Sequence, residues 1–145
     1  MSEKKEILVD VKHLKKYFQV SRTNVLKAVD DISFQIRRGE TVGLVGESGC
    51  GKSTAGRCLI RLDHPTEGEI YYKGKELAKQ DAKEKIEFCK NVQMIFQNPY
   101  SSLNPRMTVR EIVSEGIRLH DKLTEKEIAE KVKELLRKVG LNGDH

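Results

Sequence analysis

The sequence predicts an α/β fold, and three observations predict it. Short apolar or alternating runs of strand character recur along the N-terminal two thirds, interrupted by segments of helical spacing. One run, Val42 to Val45, passes through a glycine-rich turn, Gly46 to Gly51, into a helical pattern opened by Lys52-Ser53-Thr54. The final third carries two hydroxyl-x-x-Glu helix starts, at Thr108 and Thr124.

Size and composition set the frame. The 145 residues suffice for one domain of ordinary size. Hydrophobic residues make up 37% and charged residues 34%, and no apolar run approaches the length that crosses a bilayer. The start, Met1 to Glu6, is polar and leads into no apolar core of a secretion signal, so a cytoplasmic chain is expected. Cys50, Cys58 and Cys89 are an odd set without metal spacing, and Cys50 reads as a small filler of the glycine turn. The net charge of +5 comes from bases interleaved with acids, as in Glu125-Lys126-Glu127, so no nucleic-acid partner is expected.

Taken in order, Ile7 to Phe18 alternates apolar and polar residues and reads as a strand, followed by a polar loop from Gln19 to Asn24. A second strand runs from Ala28 to Ile36 and turns at Arg38-Gly39-Glu40 into Val42 to Val45, apolar enough for a buried strand. Beyond the glycine turn, Ala55, Cys58, Leu59 and Leu62 form the inner stripe of a helix that Asp63-His64-Pro65 ends. Glu69 to Tyr72 is a short strand and Lys73-Gly74-Lys75 a turn. Gln80 to Cys89 is a charged helix, and Val92 to Phe96 an internal strand ending at Gln97. The prolines and turn formers of Asn98 to Pro105 make a loop. Thr108 with Glu111 caps a helix to about Leu119. Thr124 with Glu127 caps another, whose inner face is Ile128, Val132, Leu135, Leu136 and Val139 before Gly140.

The stretch Gly46-Glu47-Ser48-Gly49-Cys50-Gly51-Lys52-Ser53-Thr54 has the spacing G-x-x-x-x-G-K-[ST] of a phosphate-binding P-loop. A polyphosphate concentrates negative charge, so a loop that wraps it must turn backbone N–H groups inward, and glycines clear the way. The following helix adds unpaired N–H groups and its dipole, Lys52 a full charge, and Ser53 a hydroxyl for Mg²⁺.

With these residues in view, together with Gly43-Leu44-Val45, Pro65-Thr66-Glu67-Gly68-Glu69-Ile70 and Gln97-Asn98-Pro99-Tyr100-Ser101-Ser102-Leu103-Asn104-Pro105-Arg106-Met107-Thr108-Val109, the sequence resembles the ATP-binding subunit of an ABC transporter. The likeness is strongest to the oligopeptide and dipeptide importer branch. It implies a truncated ABC-type nucleotide-binding domain: residues 7–97 would hold the β subdomain and part of the P-loop core, and residues 98–145 the Gln loop and the start of the helical subdomain. It implies MgATP on Gly46 to Thr54, with Mg²⁺ held by Ser53 and Gln97. Tyr17 would stack on adenine, with Phe18 as the alternative. Gln97 would also reach the attacking water and join the nucleotide site to a membrane-spanning permease subunit received by Tyr100 to Met107. Asn98 stands where an acidic residue is expected. A second ATP-binding subunit, the same or different, and indirectly an extracellular peptide-binding protein complete the implied partners. The implied place is the cytoplasmic face of the membrane.

The resemblance also marks what the sequence lacks: an LSGGQ-type signature, an apolar strand ending in Asp-Glu and a later histidine. Without a general base and second carboxylate the chain as given is not expected to hydrolyse ATP, and it reads as an N-terminal portion or a truncated reading frame. Losing the acidic strand would leave an apolar sheet edge open, with poor solubility expected. Weighed against this are a non-catalytic nucleotide-binding or interaction module, a soluble P-loop phosphotransferase, which would need an Arg-rich lid and an acceptor pocket, and a nucleic-acid ATPase of ABC type.

Overall fold

The structure, a computed structural model, describes residues 5–141. They form two compact units, one running up to Gln93 and one from Met94 onward.

The first unit is built on an antiparallel sheet with strand order β2-β1-β3-β4. Its strands are β1 (Ile7–Gln19), β2 (Val25–Arg37), β3 (Glu67–Tyr72) and β4 (Lys75–Glu76). β2 starts at Val25, earlier than the alternation from Ala28 suggests. β1 is not a regular ribbon. Val11 and Leu14 are both buried, at 1% and 0% exposure, although three residues apart they would point to opposite faces of a regular strand. A bulge with His13 in the left-handed region, φ 51°, turns both into the core. β3 crosses close to that bulge at Gly68, where a Cβ would lie 2.3 Å from the His13 carbonyl oxygen, so only glycine fits.

Helix α1 (Lys52–Leu59) covers the sheet, its Ala55 and Cys58 joining Val11, Leu14, Val29 and Ile70 in one core. The sequence pattern carries this helix to Leu62, but the helix closes earlier. Arg61 takes φ 63°, and the Leu62 N–H donates back to the Arg57 carbonyl at 2.9 Å, the bond that ends a helix through a left-handed residue. Leu62 therefore leaves the inner stripe and is half exposed. Helix α2 (Ala82–Asn91) starts from an Asp81–Glu84 capping box and buries Phe88 edge-on against Tyr72, ring centroids 5.2 Å apart.

Two expected strands are corrected. Neither Val42 to Val45 nor Val92 to Phe96 joins a sheet among the described residues. Val45 is 91% and Ile95 95% exposed. An apolar run reports a preference for burial, whereas a ladder needs neighbours to hydrogen-bond, and every strand pair here is antiparallel and elsewhere.

In the second unit Pro99–Ser102 forms a short 3-10 turn, followed by α3 (Val109–His120) and α4 (Glu125–Lys138). Both helices start with the expected capping boxes: Thr108 with Glu111, and Thr124 with Glu127. Ile117 of α3 and Ile128, Val132 and Leu136 of α4 make their shared core. Leu135 and Val139, read as part of that face, are 37% and 71% exposed. One neighbouring helix covers only the i, i+4, i+8 line of α4, a narrower stripe than a helix covered on a broad front presents. No helix among the described residues is long and apolar enough to cross a membrane.

Candidate functional site

The glycine loop closes on its own lysine. Lys52 opens α1, and its Nζ donates to the carbonyl oxygens of Gly46 at 2.7 Å and Glu47 at 2.5 Å and lies 3.4 Å from Cys50 Sγ. The Cys50 N–H returns to the Glu47 carbonyl at 3.3 Å. Ser48 and Gly49 form the exposed turn between them. No side chain caps α1: its N-cap is Gly51, at φ 92°, so the first turn presents backbone N–H groups at the positive end of the helix dipole. Gly51 is fixed twice over. Beyond its left-handed φ, a Cβ would lie 1.9 Å from the Ala28 carbonyl oxygen of β2.

That close approach sets β2 beside the loop and encloses a cavity of about 310 Å³. Phe18, Leu26, Lys27 and Ala28 line it from the β1–β2 hairpin, and Gly49 to Thr54, with Lys52 and Ser53 among them, line it from the loop. Tyr17 does not. Its hydroxyl donates to Asp30 Oδ1, and Lys27 Nζ sits 5.2 Å from its ring centroid and 3.3 Å from Asp30 Oδ2. The hydrogen bond from Tyr17 holds the Asp30 carboxyl below its ordinary range, and the bond to Asp30 raises the Tyr17 phenol. The structure thus brings Phe18, the alternative aromatic, to the loop. Leu26, Lys27 and Ala28 were not singled out in the sequence; only the cross-strand register, which opposes Phe18 to Leu26, points to them.

Gln97 lies in the second unit, exposed, just beyond the unpaired Val92 to Phe96 segment. After it Asn98 Oδ1 accepts from the Tyr100 N–H at 3.2 Å and starts the 3-10 turn, which leaves Tyr100 85% and Leu103 47% exposed. Among the described residues no group of three or more His, Cys, Asp or Glu is placed to hold a metal. Ser53 and Thr54, in the first turn of α1, are the hydroxyl-bearing residues that line the cavity.

A glycine loop running into an uncapped helix start, with a lysine at the first helical position, is the arrangement of the P-loop class. The model of the ABC transporter family matches residues 29–145, and the chain belongs to that family. It is 53% identical over 142 residues to the oligopeptide transport ATP-binding protein OppF of Bacillus subtilis (strain 168), covering 97% of this chain and 46% of that protein. It is 42% identical to the dipeptide transport ATP-binding protein DppF of Escherichia coli (strain K12), over 91% of this chain and 41% of that one. The chain spans about half the length of the curated relatives it matches. Among solved structures, a dimeric post-hydrolysis state of the ATP-binding cassette MJ0796 bound to ADP and Pi superposes with a TM-score of 0.76 at 26% identity, covering 93% of this chain and 58% of that one.

Proposed function

We propose that the chain is the nucleotide-binding part of an energy-coupling subunit of an oligopeptide or dipeptide importer. The observation that carries this is a single cavity lined by Phe18 of the hairpin and by Gly49 to Thr54, which offers an aromatic ring to a base and the glycine loop to a polyphosphate. In this reading the phosphates take over Lys52 Nζ from the Gly46 and Glu47 carbonyls and bond the N–H groups of the loop and helix start. The base lies on Phe18, which lines the cavity, whereas Tyr17 does not and its hydroxyl is bonded to Asp30. The hydroxyl of Ser53 beside the loop fits Mg²⁺, which keeps most of its water and phosphate ligands and would ask one hydroxyl of the protein here. When bound, the ion neutralises charge between the outer phosphates.

The role proposed for these residues is to hold the polyphosphate and its ion. Partners of the importer reading are a permease subunit on Tyr100 to Met107, a second ATP-binding subunit, and a peptide-binding protein reached indirectly. The place of work is the cytoplasmic face of the membrane. The exposed Tyr100 and Leu103 support the permease surface, and the names of the relatives support the transport role.

The test is titration of the chain with MgATP and with inorganic tripolyphosphate. Lys52→Ala is expected to lose both ligands. Phe18→Ala is expected to weaken ATP and spare tripolyphosphate, while Tyr17→Ala leaves both. Undiminished binding by Lys52→Ala would remove the phosphate site from this loop, and a loss in Tyr17→Ala alone would return the base to Tyr17.

A further inference from the structure

A second cavity of the first unit, about 100 Å³, lies between the β3–β4 turn and α2. None of its lining residues lines the cavity at the glycine loop. Tyr72 and Phe88, packed edge to face, give it an apolar wall. Three of its polar groups are not spent on the protein. Gln80 is 7% exposed, and an arginine can only donate, so the bond from Arg61 Nη1 at 3.2 Å takes the amide oxygen. The amide N–H₂ group is left for another acceptor and has none among the described residues. A buried amide left half-satisfied is costly unless water or a ligand completes it. Lys73 Nζ lies over the Tyr72 ring, 5.1 Å from its centroid, and forms no ion pair among the described residues. The Glu87 carboxylate likewise has no hydrogen bond or ion pair there. By contrast Lys75 and Glu84 hold each other at 2.6 Å, and the second Glu84 oxygen accepts from the Asp81 N–H at 3.1 Å.

We infer that this cavity binds a zwitterionic α-amino acid with an apolar side chain. The ligand carboxylate takes the Gln80 N–H₂ group and Lys73, its ammonium takes Glu87, and its side chain lies against Tyr72 and Phe88. Two lysines and two glutamates line the cavity, so its charge sums to zero and suits a ligand whose own charges cancel. An ion of either sign would meet a like charge in the lining. A wholly apolar ligand would bury the Gln80 amide without a partner. The site shares no residue with the glycine loop and stands apart from the nucleotide reading.

The experiment titrates the whole chain with L-leucine, with L-leucinamide, which lacks the carboxylate, and with N-acetyl-L-leucine, which lacks the ammonium. Leucine is expected to bind, and each derivative to bind about tenfold more weakly. Glu87→Gln is expected to weaken leucine about tenfold and leave N-acetyl-leucine unchanged, and Lys73→Met to weaken leucine and leave leucinamide unchanged. Both residues are exposed, so neither variant threatens the fold. Lys83→Ala, also exposed on α2 but outside the lining, is expected to keep the full affinity. The side-chain amide protons of Gln80 are expected to shift in NMR spectra as leucine is added. Equal binding of the three ligands would overturn the proposal by showing an apolar hole without charge recognition. Absence of leucine binding, or leucine affinity unchanged in both Glu87→Gln and Lys73→Met, would overturn it as well.

Discussion

The two units solve the same problem in opposite ways. The helical unit satisfies its backbone locally: each helix bonds within itself, and Thr108–Glu111 and Thr124–Glu127 close the two starts from residues three apart. The unit with the glycine loop depends on distant partners. Gly51 stands against Ala28 of β2, Gly68 against His13 of β1, and the apolar run Val42 to Val45 takes part in no ladder among the described residues. Helical units specify themselves from nearby sequence, whereas phosphate loops need a scaffold assembled from far along the chain.

The sharpest way to break that contrast is Gly51→Ala. It combines a strained φ with a backbone oxygen 1.9 Å from the new Cβ, so the first unit is expected to lose more than about 3 kcal/mol. Hydrogen exchange should then show fast amides in β1 and β2 and unchanged protection in α3 and α4; equal deprotection of both units would mean that they stand or fall together. A smaller effect in the other direction comes from Leu136→Ala. The side chain is 4% exposed between the two helices, and its truncation is expected to cost about 2–4 kcal/mol in the helical unit alone. ATP affinity that drops along with helix stability would contradict the division. Thr124→Ala removes one cap and is expected to cost about 1 kcal/mol, read from the denaturation midpoint of the helices.

How far the fold was legible follows from the same contrast. The caps and the Ile128–Val132–Leu136 line could be read because their partners sit three or four residues away. The helix at Lys52 and the loop before it could be read because their spacing is local as well. Pairing could not: Val42 to Val45 has the composition of a buried strand, and composition says nothing of which segment bonds to it. The aromatic that lines the cavity shows the same limit. Tyr17 and Phe18 are adjacent, so the parity of the strand decides which one meets the loop. That parity is reset by the bulge at His13 and by further register shifts between Leu14 and Lys16 and between Lys16 and Tyr17. None of these shifts has a glycine or proline in β1 or β2 to announce it.

The smallest expected effect concerns acid. Hydrogen bonds from the backbone and hydroxyl of Thr108 hold Glu111 below the usual glutamate range, and those from the hydroxyl and backbone of Thr124 do the same to Glu127. Such groups bind protons less readily folded than unfolded. Their stabilisation is complete above the ordinary glutamate range and is lost as pH falls through the depressed folded values. The helical unit is expected to weaken over that acidic window, and Glu111→Gln with Glu127→Gln to flatten this part of the profile, as followed by the ellipticity of α3 and α4. An unaltered profile in the double variant would assign the acid sensitivity to other carboxylates.

The lysine clasped by Gly46 and Glu47 has a further consequence. A loop that already wraps a cation is pre-shaped, so an arriving phosphate trades places with two carbonyls instead of ordering a slack chain. In the phosphate-binding reading proposed above, the affinity is then the difference between two well-satisfied states of one ammonium group.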